Sequence, residues 1–195
     1  MKNEQPGKKL VTERMELEVL NASHHTALIE NANDLAIADT MISVPHPFLE
    51  CHAREWIKRA GAEYKSGSGY HWGLSSIKNG AFTGYVTLRE IDHEHSQAEL
   101  SFWICRKDWG NGFAKEACAK AIEVAFETLN INRIYAYHMV RNPTSGKILK
   151  HLGFQQEGLL RQCVIKWGKF EDVVLQAILE DDWQKMNHFR SGGLV

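Results

Sequence analysis

The segment Gln97–Ala125, QAELSFWICRKDWGNGFAKEACAKAIEVA, allows few folds, because it passes from strand to glycine turn to helix without a break. In its first part Gln97, Glu99 and Ser101 alternate with Ala98, Leu100, Phe102 and Ile104. A period of two predicts a strand with one buried face, and turns Glu99 away from Leu100 and Phe102. From Ala114 onward Glu116, Lys120, Glu123 and Glu127 recur at helical spacing, while Ala117, Cys118, Ala121, Ile122, Ala125 and Leu129 fill the other side. Between strand and helix stands Asp108-Trp109-Gly110-Asn111-Gly112. Glycines let backbone N–H groups face a ligand with no Cβ in the way. A helix start with unpaired amides suits a phosphate. A strand–Gly-x-Gly–helix unit also serves as a plain tight connection. The Walker pattern is excluded, because the turn continues Gly-Phe-Ala-Lys-Glu rather than Gly-Lys-Ser/Thr. The dinucleotide fingerprint is excluded too: Lys115 stands where its third glycine belongs, and Asn130 and Asn132 occupy the region of its acid.

The rest of the chain frames this unit. Met15, Leu17 and Val19 alternate with Glu16 and Glu18, predicting a strand within Leu10–Leu20. Ser23 is the expected cap of a helix through Leu28, Ile29, Leu35 and Ile37. Pro45 and Pro47 interrupt the helical pattern, and a second helix is expected over Leu49–Lys65. Tyr70–Lys78 and Ala81–Ile91 read as a hairpin joined by Asn79-Gly80. Gly84 inside its second strand marks a bulge or a close backbone approach. Asn132–Val140 predicts a further strand. Asn142-Pro143 opens a short helix that ends at Gly153. Gln155–Lys166 and Glu171–Leu179 form a closing hairpin, with a terminal helix over Asp181–Arg190 and loose ends at Met1–Lys9 and Ser191–Val195.

Composition narrows the function classes. At 195 residues the chain is read as one domain, long enough for a real core. Lys+Arg 23 against Asp+Glu 24 gives net charge −1, which argues against a broad nucleic-acid footprint. No run is apolar enough for a membrane span or a signal peptide. Cys51, Cys105, Cys118 and Cys163 form no Cys-x-x-Cys pair and read as buried, reduced thiols of a cytoplasmic protein. His93-x-His95 reads as a polar hairpin turn rather than a metal site, and no metal is expected.

Trp109-Gly110-Asn111-Gly112-Phe113-Ala114 resembles the signature at the start of the central helix in the GNAT N-acetyltransferase superfamily, with Trp109 in place of the usual Gln or Arg. The Trp-Gly-x-Gly-Phe-Ala form is similar to the branch of ribosomal-protein N-terminal alanine/serine acetyltransferases. That branch also opens Thr-Glu-Arg-Met/Leu-x-Leu, matched at Thr12–Leu17, although Glu18 replaces its usual Arg. Asn142-x-x-Ser145, with a helix ending Leu152-Gly153-Phe154, resembles the second GNAT signature. Glu157-Gly158 and Gly168-x-Phe170-x-Asp172 also resemble the branch, so the likeness spans about Leu10 to Leu179.

The resemblance implies a mixed α/β fold: about seven strands in a twisted, mostly antiparallel sheet, flanked by helices and splayed at the central strand pair. It implies a single acetyltransferase domain over 1–195 that uses acetyl-CoA and no metal. The amides of Gly110, Asn111, Gly112, Phe113 and Ala114, beside Trp109, are expected on the pyrophosphate. Asn142 is expected on the pantetheine or pyrophosphate arm, and Lys147 either on a phosphate or on a solvated helix face. Glu99 is the expected general base, because an amine is mostly protonated at pH 7. Its bland alternative is a surface carboxylate. Ser145 is the expected acid for the leaving thiolate, or else a helix-cap hydroxyl. A backbone N–H near Ile104 is expected to polarise the thioester carbonyl. Phe48 and Trp56, with His46, are expected on the acceptor wall, a place Trp56 exchanges equally well for the core.

The expected acceptor is a protein N-terminal α-amine, with a small-molecule amine (polyamine, amino sugar or antibiotic) as the alternative. A non-catalytic acyl-CoA sensor is the rival from another class, and Glu99 speaks against it. No nucleic acid or membrane partner is expected, and a homodimer stays open.

Overall fold

The parallel contact between β5 (Gln97–Ile104) and β6 (Arg133–Met139) is short, and the architecture turns on it. The computed structural model describes residues 5–191, so the ends expected to be loose lie partly outside the described residues, at 1–4 and 192–195. Only Gln97, Ala98 and Glu99 of β5 pair with β6, opposite Arg133, Ile134 and Tyr135. Beyond that point each strand follows its outer antiparallel partner. β5 stays with β4 (Phe82–Asp92) as far as the pair Gly84–Ile104. β6 stays with β8 (Lys169–Leu179) as far as Met139–Val173. The two half-sheets therefore part after Glu99 and Tyr135.

Among the described residues the sheet has eight strands in the order β1-β2-β3-β4-β5-β6-β8-β7. The eighth arises because the segment Leu10–Leu20 is not one strand. β1 (Lys9–Val11) folds back on β2 (Met15–Val19), and β3 (Tyr70–Ser76) pairs with β2 on its other side. β7 (Gln155–Lys166) forms the far edge.

Helices cover both faces. α1 (His25–Ala32), α2 (Leu35–Thr40) and α3 (Glu50–Ser66) lie on one face, where Leu28, Ile37, Phe48 and Ala53 pack with Tyr85 and Trp103 of the sheet. On the other face α4 (Phe113–Glu123), continued by a π-helical turn Val124–Thr128, packs Ala117, Cys118, Ala121 and Ile122 against Leu17, Trp72, Val86 and Leu100. α5 (Pro143–His151) adds Leu149 to the same layer, and α6 (Glu180–Ser191) sends Trp183 against it. Each fully buried Leu or Ile of these layers contributes about 1.5–3 kcal/mol.

Three further expectations are corrected. Of the four cysteines only Cys105 and Cys118 are buried, while Cys51 and Cys163 are exposed. The helix expected from Ser23 to Ile37 is interrupted: Asn21, not Ser23, caps the first turn, and Asp34 caps α2 by accepting from the Ala36 N–H at 2.8 Å. Asn and Asp compete for local backbone bonds and so start and stop helices. The face of β5 bearing Glu99 is also not solvent-facing, because the α1–α3 layer covers it; Glu99 is 7% exposed and Trp103 4%.

Gly84 is the close approach expected of it. The β3–β4 register shifts between Leu74 and Ser75 beside it, and its φ is 154°. A Cβ there would meet the Trp103 carbonyl oxygen and, at 2.9 Å, Ile104 Cα.

The β1–β2 hairpin locks the start of α4. Thr12 Oγ1 donates to Glu116 Oε1 at 2.6 Å, the Arg14 N–H to the same oxygen at 2.9 Å, and Arg14 Nε to Oε2 at 2.7 Å. Burial alone would push the Glu116 carboxyl up, but the bonds from Thr12 and Arg14 outweigh it and hold the carboxyl below its usual range. Among the described residues no helix is long and apolar enough to cross a membrane.

Two outcomes follow in urea titrations. Gly84→Ala is expected to lose about 1–3 kcal/mol, since only backbone can yield. Glu116→Gln is expected to lose about 1–2 kcal/mol at pH 7. Because the folded pKa is depressed, this stability is present above the unfolded value of about 4.3 and lost as pH falls through the folded one. The gap between wild type and variant should therefore close below about pH 4.

Candidate active site

The turn after β5 is held open from several sides. The Trp109 indole N–H donates to the Ile104 carbonyl at 2.8 Å, tying the turn back to the strand end. The Asn111 side-chain amide donates to the Asp108 and Trp109 carbonyls at 3.2 and 3.4 Å. Gly110 and Gly112 both adopt φ 79°, the left-handed region that strains other residues. The first helical bond of α4 runs from the Glu116 N–H to the Gly112 carbonyl, so the preceding amides have no helical partner. Arg14 braces the turn from outside, donating to the Asn111 carbonyl at 2.9 Å with its guanidinium 4.7 Å from the Phe113 ring centre.

This turn lines a cavity of about 420 Å³. Trp109, Gly110, Gly112, Phe113, Ala114 and Lys115 form one wall, and Asn142, Thr144, Ser145 and Ile148 of the α5 start form the other, with Ile104 between. A second cavity, of about 340 Å³, lies between β5 and β6 and holds Arg89, Glu99, Ser101, Tyr137 and His138. Thr40, Met41, Phe102, Asn142 and Ser145 line both, so the two are halves of one cleft.

Ser145 and Asn142 stand at the junction. Asn142 caps α5, its Oδ1 accepting from the Ser145 N–H at 3.3 Å. Its Nδ2 donates to Ser145 Oγ at 2.9 Å and to the Thr40 carbonyl at 3.2 Å. Because Ser145 Oγ accepts from Asn142, its own proton is left to donate into the cleft.

Glu99 lines the inner half. Its Oε1 accepts from Arg89 Nη2 at 2.6 Å, and the two residues are register partners across β4 and β5. Among the described residues Oε2 has no hydrogen-bond partner. Burial disfavours the Arg89 charge, but the bond and the charge of Glu99 prevail and hold its pKa above the ordinary value. Tyr137 lies two positions beyond Tyr135, the register partner of Glu99. Burial, and then the charge of Glu99, push its phenol up, so it remains a neutral donor at pH 7.

The Cys105 N–H donates to the Thr83 carbonyl at 2.8 Å, which sets the parity of the β4–β5 ladder. By alternation the Ile104 N–H points away from β4, toward the splay.

Other residues singled out in the sequence stand elsewhere. Asn111 turns its side chain back into the loop and does not line either half. Lys147 is exposed and outside both, whereas Lys115, which sequence reasoning passed over, lines the turn side. Phe48 is 1% exposed and packs against Trp56 at 5.0 Å between ring centres, as core rather than acceptor wall. His46 is exposed and lines neither half. Trp56 borders a small pocket behind Arg89 and Ser101, of about 10 Å³, scarcely room for one water. Arg89, Tyr137 and residues 40–43 also went unread. Arg89 had a signal: on hairpin strands it falls directly opposite Glu99.

Comparison with known proteins identifies the family. A family model described as an acetyltransferase (GNAT) domain matches residues 14–155. The uncharacterized N-acetyltransferase p20 of Bacillus licheniformis is 30% identical over 174 residues, covering 89% of this chain and 97% of that protein. The ribosomal protein uS5 alanine N-acetyltransferase of Escherichia coli is 31% identical over 137 residues, covering 68% and 71%. A solved spermidine N-acetyltransferase from Vibrio cholerae, in complex with CoA and spermine, superposes with a TM-score of 0.78 over 89% of this chain and 99% of that one. At 22% identity that likeness speaks for the fold alone.

The two lysines should separate by calorimetry with CoA. Lys115→Ala is expected to weaken binding about fivefold, roughly 1 kcal/mol, less so at high salt. Lys147→Ala is expected to leave it unchanged.

Proposed function

The chain belongs to the GNAT acetyltransferase family and is an N-acetyltransferase, and from that premise we propose that it transfers acetyl from acetyl-CoA to the N-terminal α-amine of a protein, ribosomal proteins included. The observation that carries the choice of acceptor is the charge of the inner half-cleft. Its charged lining residues are Glu99 and Arg89, which pair with each other. Such a wall suits one ammonium and offers nothing to the further positive charges of a polyamine. The likeness to the uS5 alanine enzyme supports the same choice.

In this reading acetyl-CoA lies along the outer half, with its pyrophosphate on the free amides of Gly110, Gly112, Phe113 and Ala114 and near Lys115. Trp109 and Asn111 hold that turn in shape. Asn142 meets the pantetheine arm, and no metal takes part. The thioester reaches the junction at Ser145 and Phe102. An α-amine has a pKa of about 7.7–8.0, so its ammonium must lose a proton first. Glu99, whose Oε2 takes no hydrogen bond from the described residues, accepts that proton directly or through a water. The neutral nitrogen attacks the thioester carbon, and the Ile104 N–H stabilises the oxygen as charge develops on it. Collapse breaks the C–S bond, and the nitrogen, which after attack carries one proton more than an amide, releases it to solvent. Ser145 gives its hydroxyl proton to the thiolate and regains one from solvent. The setting is the cytoplasm.

A polyamine acceptor remains the second reading, favoured by 32% identity over 100 residues to a spermidine N(1)-acetyltransferase of Vibrio cholerae. A panel of Ala-, Ser- and Met-starting peptides, spermidine and an aminoglycoside, read by thiol release, separates the two. The α-amine reading predicts turnover on Ala or Ser peptides, and turnover on spermidine alone contradicts it. On the accepted substrate Glu99→Gln should keep acetyl-CoA affinity while kcat falls about 10²–10⁴-fold. Unchanged kcat, or loss of cofactor binding as well, removes the role given to Glu99.

A further inference from the structure

The inner half-cleft has two side walls that come from distant parts of the chain. One is the last residue of α2 with the strip that follows it, residues 40–43. The other is the β7–β8 hairpin, through Leu160, Cys163, Val164 and Val173. Just beyond these lining residues the two walls are tied together. Asp39 Oδ2 accepts from Arg141 Nη1 at 2.7 Å, and its Oδ1 accepts from the Trp167 indole N–H at 2.7 Å. Arg141 also donates to the Asp39 carbonyl at 2.8 Å and to Glu171 Oε1 at 2.8 Å. Lys166 Nζ donates to the Val44 carbonyl at 2.8 Å, and sits 4.5 Å from the Trp167 ring centre.

We propose that these bonds form a clasp across the acceptor half of the cleft, with Asp39 as its hub, and that the clasp selects acceptors by the bulk next to their amine. This rests on the reading of that half as the acceptor side. The bonds bridge residues 39–44 to 166–171 over lining residues on both sides. A slender acceptor, such as a chain starting with Ala or Ser, reaches Glu99 beneath the closed clasp. A bulky first side chain requires it to part. Parting is easy, because the Asp39 and Arg141 side chains are 43% and 34% exposed and such ion pairs are individually weak. Lys166, by contrast, is buried, and its bond to Val44 keeps the strip from drifting away altogether. Asp39, Arg141 and Trp167 are therefore positioning residues that touch neither acetyl-CoA nor the reacting atoms.

Asp39→Ala and the milder Trp167→Phe, which keeps the ring and loses only the donor, test this. In Asp39→Ala the ratio of kcat/KM for a Phe-starting peptide over an Ala-starting one should rise at least tenfold, mainly through KM. Trp167→Phe should move the ratio the same way by less. Acetyl-CoA affinity should not change. Amide exchange should quicken in residues 39–44 and 163–173 together. An unchanged ratio with faster exchange overturns the selective role, and exchange that rises on one wall only overturns the clasp. If the enzyme turns over small amines rather than peptides, the same ratio is read with a benzylic against a short alkyl amine. Failure of the α-amine reading is thus kept apart from failure of the clasp.

Discussion

Everything at the candidate site depends on two neighbouring strands that stop pairing. β5 and β6 share three register positions and then part. Parallel neighbours normally continue, because every unpaired N–H and C=O left in an interior is costly. Here each strand keeps a full antiparallel partner on its outer side, so the sheet survives the gap. The gap leaves backbone polar groups of β5 facing open space between two layers of helices. In the proposed reading that space receives the thioester, with amide donors on its wall.

The two ends of the slot are built differently. The outer end relies on backbone amides, and its shape is held by bonds that never touch a ligand: Trp109 to Ile104, Asn111 to Asp108, and Arg14 and Glu116 from the first hairpin. Such a frame suits a ligand that is the same in every turnover. The inner end relies on side chains, with a matched Glu99–Arg89 pair and walls tied across the top at Asp39. Side chains and surface ties change readily in evolution and in thermal motion, which suits the part that distinguishes one amine from another. Asn142 couples the ends, because the same side chain caps α5, bonds Ser145 and holds the Thr40 carbonyl of the inner wall.

Local chemistry was legible in the sequence, and long-range pairing was not. The hairpin at Asn79-Gly80, the α5 cap at Asn142 and the glycine turn each depend on neighbours within a few residues, and each is found near its expected place. The Thr12–Arg14 motif was visible as a pattern, but its physical reason, the bonds to Glu116, spans more than 100 positions. The same distance hid the clasp, whose partners at Asp39 and Trp167 lie 128 positions apart. Alternation set Glu99 opposite Leu100 and Phe102, but it says which residues share a face and nothing about what covers the other one, so Arg89, Tyr137 and residues 40–43 around Glu99 went unread. Phe48 failed as a wall residue for a related reason. Proximity to the acceptor side in the chain does not reveal whether a ring points into a cleft or into a core.

The most direct test of the account is a crystal structure with a bisubstrate conjugate, CoA joined through its sulfur to the amine of an Ala-starting peptide. The account predicts the pyrophosphate on the amides of Gly110–Ala114, the pantetheine arm in the gap between β5 and β6, and the sulfur about 3–3.5 Å from Ser145 Oγ. It places the peptide nitrogen on the Glu99 side of the junction. A conjugate with its arm outside the gap, or with its peptide away from Glu99, would contradict the claim that the parting of these strands is the site of acetyl transfer.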